Sequence, residues 1–430
     1  MKKLLLVLVL FASPAWATTY YVNKSGSDAN SCATAQSATD ANAKLTIAAG
    51  LACLSAGAGD TLNIGDGTYA EFVDNAIPSG MNSTTRTIVQ AENRQLVLVN
   101  GCTGNSYVIE VENKNYITID GLVIDAAACT LAGITIGDDA GGLGGAGSTY
   151  VTLQNSEIKN ADVWICVSFH QTGSSVLTSN ITIHNNIVHN CGTTSPTTDT
   201  FDGHGIYPSI KNSTISNNIV YDVGNNVVAG GSAGGEAIHQ YHNGDTGMDN
   251  NVYKNNTCYN NYGGCIGIRG GTNDLVYNNI CYNNALYDEG AGCITISGGG
   301  NGAVVNAQVY NNTIYDNNGA GIYMANCTSV TIRNNIYYSN GSPTTGSCTT
   351  TTSSNNTSSD PGFISAATGN FRLAACTAVA CDQGTTVASV TTDADGISRP
   401  QGAAYDIGAF EFQTTPTGAS VNIFVPSRVR

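Results

Sequence analysis

Three features of the sequence predict an all-β solenoid of stacked parallel coils. An asparagine-pair motif recurs along the middle of the chain, short alternating strands flank each copy, and cysteines repeat with a similar step. The motif is NN-x-x-(aromatic or His). It begins at Asn185 (NNIVHN), Asn217 (NNIVYD), Asn255 (NNTCYNN), Asn278 (NNICYNN), Asn311 (NNTIYDN) and Asn334 (NNIYYSN), with a degenerate copy at Asn355 (NNTSS). Successive steps are 32, 38, 23, 33, 23 and 21 residues. The short steps fit one coil, and the long ones fit a coil plus a loop insertion. Most copies follow an alternating strand, as in ITIHNN, STISNN and VTIRNN. A second strand recurs once per step: AGITIGD from Ala132, HGIYPSI from His204, EAIHQYH from Glu236, GCIGIRG from Gly264, GCITISG from Gly292 and AGIYMAN from Ala320. Asparagine suits the turn because it tolerates left-handed backbone angles. Stacked coil on coil, its amides can bond along the axis as a ladder.

The remaining elements follow in chain order. Residues 1–17, MKKLLLVLVLFASPAWA, have the charged start, short apolar run and A-x-A site of a secretory signal peptide. Residues 18–60 hold a leading strand and cap. Within them Lys44–Leu54 is the one window with helical periodicity, and Ile47, Leu51 and Leu54 on one face can cover the first coil. Residues 61–375 carry roughly eleven coils. Residues 376–412 form a closing segment expected to cover the other end, and residues 413–430 read as a linker-like tail.

Composition narrows the partners. The formal charge is −15, yet only 11 % of residues are charged, so the surface is built from Asn, Thr, Ser, Gly and Tyr. Nucleic acid, which needs a basic stripe, is a poor fit. So is an acidic polysaccharide held by lysine and arginine alone, although a bound cation reverses that objection. No segment is long and apolar enough to span a membrane. With the leader, this predicts a secreted protein, extracellular or periplasmic.

All 14 cysteines follow the leader, an even number that suggests disulfides. Cys258 and Cys281 are 23 apart, like their flanking Asn pairs; Cys327 and Cys348 are 21 apart; Cys265 and Cys293 are 28 apart, like Ile266 and Ile294. Each pair is expected side by side on neighbouring coils. Cys102–Cys129, Cys32–Cys53, Cys166–Cys191 and Cys376–Cys381 complete the set, the alternative for any pair being buried free thiols.

The motifs together resemble the right-handed parallel β-helix proteins of the pectate-lyase-like superfamily, secreted by bacteria. TYYVNKSGSD and KLTIAAGLACLSAGAGDTLNIGDGTYAE resemble that family's first strand, capping helix and first coil. NNTIYDNNGAGIYMANCTSVTIRNNIYYSN resembles its repeat, and SSDPGFISAATGNFRLAA with DADGISRPQGAAYDIGAFEF its closing segment. The resemblance covers about residues 19–412 and implies the fold class: all-β, a right-handed parallel β-helix with a short N-terminal capping helix. It also implies a site in a loop-walled groove across the central strands, but such folds carry many functions.

Aligning the second strand motif on Ile134, Ile206, Ile238, Ile266, Ile294 and Ile322 leaves Thr135, Tyr207, His239, Gly267, Thr295 and Tyr323 facing outward. Tyr241 and Arg269 stand two residues further along. His204 and Glu236 open the same strands, beside the insertions 192–203 and 224–235. Elimination at a uronate needs a base for the C5 proton and a positive charge for the enolate-like intermediate. His204, Glu236, His239, Tyr241 and Arg269 are the candidates, with His239 or Tyr241 as base and Arg269 as charge partner. Tyr207 and His242 are candidate substrate contacts. Hydrolysis needs two carboxylates instead, for which Asp202, Glu236 and Asp245 are nearest. Gly203-His204-Gly205 resembles the GHG of polygalacturonases, but the paired aspartate and R-I-K of that family are missing around it.

NGDTGMDN (243–250) offers Ca²⁺ two carboxylates, Asp245 and Asp249, without the spacing of a known calcium loop. His189, Tyr221, Tyr259, Tyr282, Tyr315 and Tyr338 share one column after the Asn turns. It reads as a structural stack or as a sugar platform, with Tyr259 and Tyr282 as contacts. The expectation is a polysaccharide-active protein, lyase ahead of hydrolase. The alternative is a non-catalytic β-helix that binds carbohydrate or a cell-surface glycan, or that is structural.

Overall fold

The computed structural model describes residues 17–102, 106–137, 147–161, 164–169, 178–192, 203–224, 235–241, 247–285, 292–299, 302–376 and 379–413. Its frame is three long parallel sheets of twelve, ten and nine strands, each adding one strand per coil in chain order. One coil runs from the first sheet (Val252–Lys254) through an Asn corner to the second (Thr257–Tyr259), then through another Asn corner to the third (Ile266–Ile268).

Strand alternation sends one apolar column into the core from each sheet. In the first sheet that column is Leu62, Val89, Ile119, Leu153, Ile183, Ile215, Tyr253, Val276, Val309 and Ile332. In the third it is Ile134, Val167, Ile206, Ile238, Ile266, Ile294 and Ile322, every one fully buried. Val167 belongs to the strand Ile165–Ser168, a coil the sequence motifs pass over because WICVSF carries neither the Asn pair nor a glycine.

The Asn pairs divide their work. The first Asn of each pair takes the left-handed turn, with φ of 56° at Asn185, 55° at Asn217, 54° at Asn255 and Asn278, 51° at Asn311 and 58° at Asn334. The second is buried and forms the ladder. The backbone N–H of Asn218 donates to Asn256 Oδ1 at 3.1 Å, that of Asn256 to Asn279 Oδ1 at 2.9 Å, and that of Asn279 to Asn312 Oδ1 at 2.9 Å. Each Nδ2 also donates to a strand carbonyl, as Asn279 does to Tyr253 O at 2.9 Å. NNTCYNN carries two pairs because it spans both corners of a coil. Asn261, Asn284, Asn317 and Asn340 build a second ladder at the second corner. The ladders satisfy backbone groups that a corner would otherwise bury unpaired.

Three expectations are corrected. The capping helix is only Ile47–Leu51, started by the Thr46 side chain accepting from Ala49 N, although Leu54 beyond it is still buried. The closing segment does not simply lie across the last coil. It folds back along the flank, where Thr392 O, Thr385 O and Gln383 O accept from Asn278, Asn334 and Asn355, and Phe371 in the strand just before it packs on Tyr282 and Tyr315.

The cysteine pairs are the third correction. Disulfides join Cys32–Cys53, Cys102–Cys129, Cys166–Cys191, Cys327–Cys348 and Cys376–Cys381. Cys258, however, pairs with Cys265 in its own coil, leaving Cys281 and Cys293 as buried free thiols. Cys258 and Cys281 are register partners in adjacent parallel strands. Their side chains run side by side at about the 4.8 Å strand spacing, wider than the ~3.8 Å between Cβ atoms of a disulfide. At the corner the second and third sheets converge, and the Cα atoms of Cys258 and Cys265 lie 5.3 Å apart.

Candidate active site

The third sheet presents, on its face away from the core, Thr135, Ser168, Tyr207, His239, Gly267, Thr295 and Tyr323 in successive coils. Five candidate side chains gather at the centre of this column: His204, Tyr207, Glu236, His239 and Arg269. Glu236 is the hub. It lies just before the strand Ile238–Gln240, so its side chain is free of strand alternation and turns toward the next coil. Its Oε1 accepts from Arg269 Nη2 at 2.7 Å, and its Oε2 pairs with His239 Nδ1. The carboxylate occupies the space over Gly267, the register partner of His239. A Cβ there would stand 1.7 Å from Glu236 Oε2. Gly267 is therefore a site residue that the sequence reading passed over. The glycine among larger side chains in the outward column was its signal.

Electrostatics fix the charge states. Burial pushes the Glu236 pKa up, but Arg269 and then His239 outweigh it and hold the carboxyl at about 2. An ionised Glu236 only accepts, so His239 carries its proton on Nδ1 and, when neutral, keeps the lone pair on Nε2. His204 is buried and stacks on His239 with ring centroids 4.2 Å apart. Its Nδ1 accepts the Glu236 backbone N–H at 3.1 Å. Burial, then the neighbouring His239, push its pKa well below the usual histidine value, so it is neutral at pH 7. Tyr207 stacks on the His239 ring at 5.4 Å, and Tyr241 meets Tyr207 edge-on at 6.4 Å. Burial, then Tyr241, raise the Tyr207 hydroxyl pKa. Arg269 is 29 % exposed, and its Nε has no hydrogen-bond partner.

The strand that carries His239 is pinned from inside. Gln240 points into the core, where its Nε2 donates to Gly270 O at 2.7 Å and to Asp274 Oδ2 at 2.9 Å, and its Oε1 accepts from the Tyr253 hydroxyl. Asp274 Oδ1 accepts from Asn251 N at 2.8 Å. Burial drives the Asp274 pKa up to about 8, even against these hydrogen bonds.

Other candidates lie elsewhere. His242, Asp245 and Asp202 fall outside the described residues, as do most of the insertions 192–203 and 224–235. Asp249 Oδ1 accepts from Thr272 N at 2.7 Å and serves a turn beside the first sheet. Tyr259 and Tyr282 stand on the second sheet, stacked on each other at 5.1 Å. Tyr259 is 5 % exposed, and Phe371 covers Tyr282. They form a packed column rather than an open platform, as do His189 and Tyr221 stacked below them at 4.7 Å.

The cluster is an imidazole oriented by a buried carboxylate, with a guanidinium beside it. That set can take a proton from carbon or oxygen while stabilising negative charge. The paired carboxylates of a glycosidase are not assembled among the described residues, because Glu236 is committed to Arg269 and His239.

A family model described as "Right handed beta helix region" matches residues 202–361. The stacked parallel sheets run through this region and far beyond it on both sides. The chain is a right-handed parallel β-helix protein. Among solved structures, the β-helix resembles the crystal structure of pectate lyase Pel9A at 16 % identity and TM-score 0.63, covering 93 % of this chain and 97 % of that one. It also resembles XylC, solved in complex with xylose, at 12 % identity and TM-score 0.50, covering 92 % and 99 %. At these identities the likeness concerns the fold alone. Comparison with curated proteins finds no match.

Proposed function

We propose that this β-helix protein is a polysaccharide lyase acting on a uronate-containing chain laid across its third sheet. The observation that carries the reading is the Glu236–His239–Arg269 arrangement: an imidazole held through Nδ1 by an ionised carboxylate, beside a partly exposed guanidinium whose Nε makes no hydrogen bond. In the proposed step His239 Nε2 takes the C5 proton and Arg269 stabilises the charge that builds on the uronate carboxylate. The C4–O bond breaks, a C4–C5 double bond forms, and Tyr241 returns a proton to the leaving oxygen. Glu236 and His204 position the base, and Tyr207 backs its ring.

Arg269 rather than a cation is assigned the charge role. Asp249 is engaged with Thr272 N, and among the described residues no three carboxylate or imidazole ligand atoms at this surface lie close enough together to share an ion. The relatives fit this reading: one structural neighbour is named a pectate lyase, and another was solved with a sugar.

The test is a turnover screen of the exported protein against acidic and neutral polysaccharides, with and without added Ca²⁺. It follows new reducing ends together with the ultraviolet absorbance of unsaturated uronates. Both signals rising together on an acidic polysaccharide are expected. Reducing ends without absorbance would replace the lyase with a hydrolase and move attention to Asp202 and Asp245. Strict dependence on Ca²⁺ would transfer the charge role from Arg269 to a cation.

A further inference from the structure

Four cysteines line the corner where the second sheet meets the third, in two consecutive coils. Cys258 lies in the second-sheet strand Thr257–Tyr259, and Cys265 immediately precedes the third-sheet strand Ile266–Ile268. One coil on, Cys281 lies in Ile280–Tyr282 and Cys293 in Gly292–Ser297. The positions are equivalent. Cys281 is the register partner of Cys258, and Cys265 N donates to Cys293 O at 2.8 Å, in step with the Ile266–Ile294 pairing. The lower pair is a disulfide whose Cα atoms are 5.3 Å apart, so this corner brings its two sheets into bonding range. The upper pair occupies the same two positions one coil on. The Cys281 thiol is hydrogen-bonded to Cys293, and both residues are fully buried. The group is not a metal centre, since no three of its sulfurs converge closely enough to share an ion.

We propose that Cys281 and Cys293 form a further disulfide, stacked one coil above Cys258–Cys265, so that the corner is stapled twice. The bond forms during export, before the coil closes over the thiols. The two Sγ–H groups give up two protons and two electrons to a disulfide donor such as oxidised glutathione, which leaves as two thiols. The staple joins the Asn corner to Gly292–Ser297, the strand whose Thr295 adjoins Gly267 beneath Glu236.

Tryptic sites separate the possible pairings. Cleavage after Lys254, Arg269, Arg333 and Arg372 places Cys258 and Cys265 on one peptide, 255–269, and Cys281, Cys293 and Cys327 on another, 270–333, which Cys327–Cys348 joins to 334–372. The full chain, exported to an oxidising compartment, would be denatured in a thiol-blocking maleimide and digested without reduction. The proposal predicts an unlinked peptide 255–269 and no maleimide on Cys281 or Cys293. The same thiol count should persist in Cys258→Ala/Cys265→Ala, because the upper staple does not need the lower one. Maleimide on both Cys281 and Cys293 would overturn the proposal. So would a disulfide joining 255–269 to 270–333, which would mean pairing between coils.

Discussion

Replacing Gly267 with alanine is expected to dismantle the carboxylate centre while leaving every reactive group in the sequence. The added Cβ would stand 1.7 Å from Glu236 Oε2, 2.5 Å from Cδ and 2.8 Å from Oε1. Non-bonded atoms settle near ~3.5 Å, so the carboxylate must retreat by roughly 2 Å. That breaks the 2.7 Å bond to Arg269 and the bond to His239. Splitting a buried ion pair costs about 3–5 kcal/mol. The low end applies here, because Arg269 is 29 % exposed and can turn toward water. The assay is denaturant unfolding of Gly267→Ala, Glu236→Ala and the double variant, with turnover measured in parallel. Gly267→Ala alone should lower the unfolding midpoint and abolish turnover. In the Glu236→Ala background it should add little, because the atoms it displaces are gone. Equal destabilisation in both backgrounds would refute the claim that Gly267 exists to admit the carboxylate.

Other consequences can be checked in the same preparations. Asn279→Ala removes the acceptor of Asn256 N and the donor to Tyr253 O in mid-ladder, and should cost about 2–4 kcal/mol in denaturant unfolding. Asp274, raised to about 8 by burial, binds its proton more tightly in the folded chain than in the unfolded one. Its contribution is complete below about pH 4 and declines by up to ~1.4 kcal/mol per pH unit until about pH 8; Asp274→Asn should flatten that slope. Glu236, held at about 2, and His204, held low by burial, act in the opposite sense. Their stabilisation is present at neutral pH. The His204 part is lost as pH falls below about 6.5, and the Glu236 part below about 4.5. A pH series on His204→Gln and Glu236→Gln should each remove its own part of the acid transition.

The repeat made the fold legible because backbone needs are local. A left-handed turn calls for asparagine, a strand calls for alternation, and both recur once per coil, from Asn185 to Asn355. The same step aligned the outward column and brought Tyr207, His239 and Gly267 into line. Side-chain convergence was less legible. Axial spacing identified Cys258 and Cys281 as neighbours but could not show that the corner turns Cys258 toward Cys265. The Glu236–His239 pairing was hidden because residues three apart in a strand face opposite sides, and only the structure shows that Glu236 precedes the strand. The tyrosine column was aligned correctly, yet its cover comes from Phe371, about ninety positions after Tyr282, a contact no local pattern encodes.

The proposed elimination on a uronate assigns the proton transfer to His239 and the charge to Arg269. The most direct measurement is the unsaturated-uronate absorbance produced by the wild type, His239→Ala and Arg269→Ala on the polysaccharide that the wild type cleaves, beside their unfolding curves. Turnover is expected to fall at least ~100-fold in both variants, with each still folding cooperatively. Wild-type turnover in both folded variants would contradict it.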